Sequence, residues 1–214
     1  MTNQSQLRRV TIPPMRAHAL ALTLILAAAP ALAQTAAPAA APPTTPAPKA
    51  PKPTSLRDVL LAQLRSTHTN EDWFVPVNIA VAGLTPEQAR WIPKSEGPNN
   101  PAPADHSVGM LTNHLLYWNA RSLAAMSHKD PGPLPGNNDE TFNKFDASTW
   151  PATAQRLNQV LTQLEDLVAH ADDAQLAQMA DGIAHISAHN AYHVGQIIEV
   201  RKLQGTWDPS KGVK

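Results

Sequence analysis

The chain has 214 residues, no cysteine, 21 prolines and 17 basic against 17 acidic residues, so its formal charge is zero. Without cysteine there is no disulfide framework and no thiolate-held zinc or iron–sulfur site. Without a basic excess there is no electrostatic case for nucleic acid as a partner, and the length is that of one domain with room for a tail.

The first 33 residues read as a signal peptide. Arg8, Arg9 and Arg16 form a positive region, Ala19 to Ala29 a short apolar run, and Ala31-Leu32-Ala33 supplies small residues two apart before Gln34. This is the order of a secretory signal cleaved after Ala33, with an apolar run too short to span a bilayer comfortably. The expected mature protein is periplasmic or secreted, has no transmembrane segment, and carries 14 basic against 17 acidic residues, a net of −3. No cysteine follows the cleavage site, which excludes a lipoprotein, and a cysteine-free chain fits an oxidising compartment. Residues 34–54 form a Pro/Ala-rich linker, since seven of the 19 residues from Thr35 to Pro53 are Pro and seven are Ala. Such a stretch cannot bury a core and is expected to be disordered and extended. A folded domain is expected over 55–209, with 210–214 as a tail.

Four helices are predicted in that domain. The first spans Leu56–Val81 on a seam of Leu60, Leu64, Val75 and Ile79, with Leu56 and Val59 near its start, and Pro76 kinks or splits it. Gly83 ends it, and Leu84-Thr85-Pro86-Glu87-Gln88 opens a short turn or helix. Residues 93–105 carry four prolines and two asparagines and read as a loop. The second helix starts at Ser107, a suitable N-cap, and runs to Ser127 with Met110, Leu111, Leu115 and Trp118 on one face. His128 to Trp150 reads as a long loop, either a functional lid or poorly ordered. Pro151 opens the third helix, whose stripe is Leu157, Val160, Leu161, Leu164, Leu167 and Val168. The fourth runs from Asp173 to Gly205. No strand pattern and no repeat is present, so the fold class is all-α, a four-helix bundle.

The histidines carry the chemical signal. There are nine in the chain, and His185, His189 and His193 recur every fourth residue of the fourth helix. At about 100° per residue, His189 falls about 40° from His193 on the side of Val200, with Ile186 and Ile197 on the other side, so both histidines lie in the core-facing seam, while His185 drifts to the seam's edge. Two imidazoles in a core seam need partners. Histidines at i and i+4 can share one metal ion, with a third ligand from another helix. His114 is the best candidate, because it lies in the second helix's seam. Three neutral imidazoles would leave a coordination position open for water or substrate. The competing reading is that these are hydrogen-bonded core histidines.

The string His189-Asn190-Ala191-Tyr192-His193-Val194-Gly195-Gln196-Ile197 resembles the C-terminal signature of the DinB-like superfamily, the damage-inducible and YfiT-like proteins. Gly83-Leu84-Thr85-Pro86-Glu87-Gln88-Ala89 looks like the turn that follows the first helix in that family, and Ser107-Val108-Gly109 through His114-Leu115 looks like its second helix. The resemblance runs from Ser55 to Pro209. It implies a four-helix bundle of the DinB-like type with a divalent metal, zinc or nickel foremost, on His114, His189 and His193. It also implies kinship with metal-dependent thiol transferases and hydrolases, an unidentified small-molecule substrate, and a homodimer as a common assembly. Export and the Pro/Gly-rich insertion between the second and third helices depart from the better-understood members, which are cytoplasmic and use cytoplasmic thiols.

Other residues complete the reading. His68 lies on the first helix's seam as a fourth ligand or a hydrogen-bond donor to the site, the non-ligand role being preferred. Gln196 is placed to hydrogen-bond a metal-bound water or to pack between helices. Gly195 is expected to allow close helix approach and Tyr192 to sit at the core's edge. His106, His128 and His170 need no function, and Glu71 or Asp72 is a candidate base or helix-surface charge. The functional expectation is an exported divalent-metal-binding protein, a hydrolase or group transferase using metal-activated water or nucleophile. The alternative is a non-catalytic metal-binding or interaction module. A base converging on the open metal position favours the first, and a site closed by His68 the second.

Overall fold

The computed structural model describes residues 52–94 and 106–212. The expected signal peptide, most of the expected linker, most of the expected 93–105 loop and the last two residues lie outside them. Seven α-helices and two 3-10 turns make up the described residues, with no strand among them, so the fold is all-α.

Helix α1, Leu56–His68, starts where the linker composition ends because Ser55 and Asp58 close a capping box. The predicted helix through Val81 is broken in two. α1 stops at His68, and α2, Val77–Val81, begins only after Pro76. Pro76 has no N–H to donate and disfavours helical backbone at Val75, so no helix runs through this point, and α1 has already ended at its C-cap Thr69. Val75 returns the chain to the core at 4% exposure, whereas Leu56 and Val59 are exposed. α3, Pro86–Arg90, is capped reciprocally by Thr85 and Gln88.

Helix α4, Val108–Met126, starts at the Ser107 hydroxyl, which accepts from Met110 N–H. The predicted loop from His128 to Trp150 is ordered and holds α5, Glu140–Asn143, and a 3-10 turn, Ala147–Thr149. Its Pro/Gly stretch is tied down by Arg121, whose Nη1 donates to the carbonyls of Pro131, Gly132 and Pro133. α5 was missed because four residues are too short to show a 3.6-residue period. Gly109 lets this segment close on α4, since a Cβ there would collide with the Phe145 ring.

Helices α6, Trp150–His170, and α7, Asp173–Gln204, complete the set. The four long helices close a ring, α1 packing on α6 and α7, and α4 on α6 and α7. Leu60, Leu64, Leu111, Leu115, Leu157, Leu161, Leu164, Ile183, Val194 and Ile197 fill its centre. Arg201 fastens α2 to α7 by donating to the carbonyls of Ala80 and Ala82. No helix of the described residues is long and apolar enough to cross a membrane.

Candidate metal centre

α4 and α7 are neighbours in the ring, and they bring three histidines together. One ring nitrogen each of His114, His189 and His193 lies within 4.8 Å of the other two. His114 and His193 are buried and His189 is half-buried. The Nε2 atoms of His114 and His189 are 3.0 Å apart. Two nitrogens sharing a zinc at about 2.0–2.1 Å would be separated by about 3 to 3.4 Å, so the spacing fits a common ion.

Two of the rings are held from behind. The Thr141 hydroxyl donates to the Asn138 carbonyl at 2.6 Å and so accepts from His114 Nδ1, also at 2.6 Å. Gln196 presents Nε2–H to the Tyr192 oxygen at 3.2 Å and its Oε1 to His193 Nδ1 at 2.6 Å. Both arrangements place the imidazole proton on Nδ1 and leave the Nε2 lone pair facing the site. Phe142 stacks flat on His114, centroids 3.8 Å apart and planes 9° from parallel, which fixes the ring plane. His189 Nδ1 is buried without a partner. The cluster is therefore not a self-satisfied hydrogen-bond network, and its donor set fits a divalent ion.

All three rings are neutral at pH 7. Burial first, then repulsion from His193, His189 and His106, pushes His114 down to about 3. Burial and His193 push His189 down to about 4. Burial also lowers His193, although the hydrogen bond to Gln196 pulls the other way. Neutral imidazole is the form that binds a metal.

A cavity of about 640 Å³ opens over the cluster, walled by Trp118, Phe142, Ile186 and Tyr192 with His185 and Gly182 beyond. Among the described residues that line it, none is Lys, Arg, Asp or Glu.

The other residues singled out in the sequence fall elsewhere or act differently. His68 is not at this site. Its Nδ1 lies 2.6 Å from Glu165 Oε1 and its Nε2 2.8 Å from Asn158 Oδ1, so both nitrogens are occupied between α1 and α6. Gln196 engages the back of His193 rather than the open side. Tyr192 is 65% exposed at the cavity mouth, not at the core's edge. Gly195 is exposed, and a Cβ there would meet nothing within 4 Å, so it serves no close helix approach. Glu71 and Asp72 are exposed and do not line the cavity. His170 Nδ1 donates to the Asp166 carbonyl at the end of α6. Thr141, Asn138 and Phe142 went unseen because they reach the site from α5 and its approach; His106, read as needing no function, stacks on Phe142 at 4.1 Å and acts on His114 through its charge. The run Asn137-Asn138-Asp139 is a turn signal that could have marked the start of α5.

The fold and site define an all-helical protein with three histidines from two helices positioned to bind one metal ion. The family model described as DinB superfamily matches residues 77–197, more than half of the chain, and the chain belongs to that superfamily. The match includes α2 to α6 and the three histidines but not α1. No curated protein matches the chain, and no solved structure does.

Proposed function

We propose that this chain is an exported DinB-like four-helix bundle that holds one divalent ion, zinc or nickel, on His114, His189 and His193. We read it as a metal-dependent hydrolase or group transferase acting on a small molecule. The observation that carries this reading is the convergence of three neutral imidazoles beneath an open cavity, with no fourth protein ligand closing it among the described residues.

A divalent ion held there supplies Lewis-acid polarisation of a bound group. The chain's own residues supply the rest. Thr141 and Gln196 keep protons on the Nδ1 atoms of His114 and His193, so each ring presents its lone pair inward. Phe142 fixes the plane of His114. Trp118 and Ile186 line the cavity and would shield one side of a bound molecule from water. The non-catalytic reading is favoured by one observation: no carboxylate among the described residues lines the cavity, so no Asp or Glu base stands beside the three histidines, and the rim histidine His185 is the candidate base that remains among them.

The test is the metal content of the purified chain by elemental mass spectrometry, beside a His193→Ala variant. Near one metal per chain, lost in the variant, supports the reading. No metal in either protein, even after zinc or nickel is added, overturns it. Turnover assays on the loaded protein then separate enzyme from binding module.

A further inference from the structure

We infer that the cavity takes a small ligand with a single anionic donor head and an aromatic or branched apolar body. This rests on the metal reading above and names the class of molecule that reading leaves open.

The argument begins with charge. Three neutral imidazoles bring no negative charge to a divalent ion, and no described residue lining the cavity is Asp or Glu. In a half-buried site the balancing charge then comes from the ligand, as one anionic donor. A second anionic group on the ligand would find no Lys or Arg among the described residues that line the cavity, only the hydroxyl and amide groups of Ser122, Tyr192 and Asn138 and the rim histidine His185. His185, at the rim, is exposed and faces Asp181 at 3.5 Å.

The walls specify the body. Trp118 donates its indole N–H to Asn138 Oδ1 at 3.3 Å, which leaves its ring to face the ligand as an apolar surface. Phe142 is clamped between His106 and His114, with centroids 4.1 and 3.8 Å away, and cannot turn aside. Ile186 completes a rigid apolar wall. Preformed apolar surface of this kind rewards a body that displaces water from it. A ligand with a carboxylated or zwitterionic body would lose hydration against that wall, with no Lys or Arg among the described lining residues to pair its charge.

The test holds the metal-binding head constant and varies the body. The zinc-loaded full chain is titrated calorimetrically with acetohydroxamate, benzohydroxamate and the monohydroxamate of succinate, each corrected for its affinity for free zinc. Benzohydroxamate is expected to bind about tenfold to a hundredfold tighter than acetohydroxamate, the gain from burying one ring, and the carboxylated probe no tighter than acetohydroxamate. Trp118→Ala is expected to remove most of the preference and leave acetohydroxamate within about twofold of the parent. If that variant does not fold, saturation-transfer NMR on the parent gives the second readout, and ring protons of benzohydroxamate must show contact with an indole. Equal affinities, tightest binding by the carboxylated probe, no binding by any hydroxamate, or no indole contact overturns the inference. These outcomes on a zinc-loaded protein leave the metal reading standing, whereas failure to load either zinc or nickel removes that reading itself.

Discussion

His114 Nδ1 and Thr141 Oγ1 lie 2.6 Å apart, and the same hydroxyl is committed as a donor to the Asn138 carbonyl. A residue in the connection between α4 and α6 therefore decides which nitrogen of an α4 histidine faces the site. Thr141→Val keeps the shape and removes the acceptor. It is expected to weaken zinc binding about tenfold to a hundredfold, the cost usual for removing such a support, with Thr141→Ser restoring most of it. Competition with a chelator of known affinity measures the change. Nitrogen-15 NMR of the metal-free protein checks the tautomer, which should shift in the valine variant and return in the serine variant.

Stability of the metal-free protein is expected to fall as the pH drops below about 6.5, the ordinary value for histidine. His114 and His189 are depressed to about 3 and about 4, and His193 is also lowered. Between those values and 6.5 the unfolded chain holds more protons than the folded one, so the free energy of unfolding rises with pH across that window. Urea midpoints at pH 7.5, 6 and 5 test this. A variant with His114 and His189 replaced by Gln should show a flatter profile.

Two glycines are expected to respond in opposite directions to alanine. Gly195→Ala adds a Cβ to open space on α7 and should stabilise the protein by about 0.5–1 kcal/mol, leaving metal binding unchanged. Gly109→Ala drives a Cβ into the Phe145 ring and should destabilise it by about 1–3 kcal/mol. Denaturant midpoints of the two variants report the signs directly.

Export, part of the proposed function, predicts a processed N-terminus. Protein recovered from an expressing bacterium should begin at Gln34 by intact-mass measurement and fractionate outside the cytoplasm. A chain that retains Met1 to Ala33 in the cytoplasm would remove export from the proposal.

Much of the fold was legible because long amphipathic segments advertise themselves. Leu157, Leu161, Leu164 and Val168 are all buried, as their spacing predicts, and Ser107 caps α4. The extent of the break at Pro76 was not legible, because proline marks where a helix cannot continue but not where the helix before it ends. The order of the 128–150 segment was hidden for a different reason. It is held by Arg121 and by packing on α4, which are contacts between residues distant along the chain. His68 shows the limit of periodicity most directly. Its place on the inner seam of α1 was readable, but a seam position faces more than one neighbour, and Glu165 and Asn158 of α6 claim both of its nitrogens.

The sequence alone determined the all-α class and the starts of the four long helices, because capping residues and a 3.6-residue apolar period act locally. It also placed His189 and His193 on one face, because four residues are about one turn of a helix. Only the tertiary structure decided that His114 comes within 3.0 Å of His189, that α5 supplies the support behind it, and that the cavity above carries no charged wall residue among those described. Each of these depends on how helices distant in sequence pack around a shared core, and the chemistry of a site depends on distances of a few ångströms that no local pattern encodes.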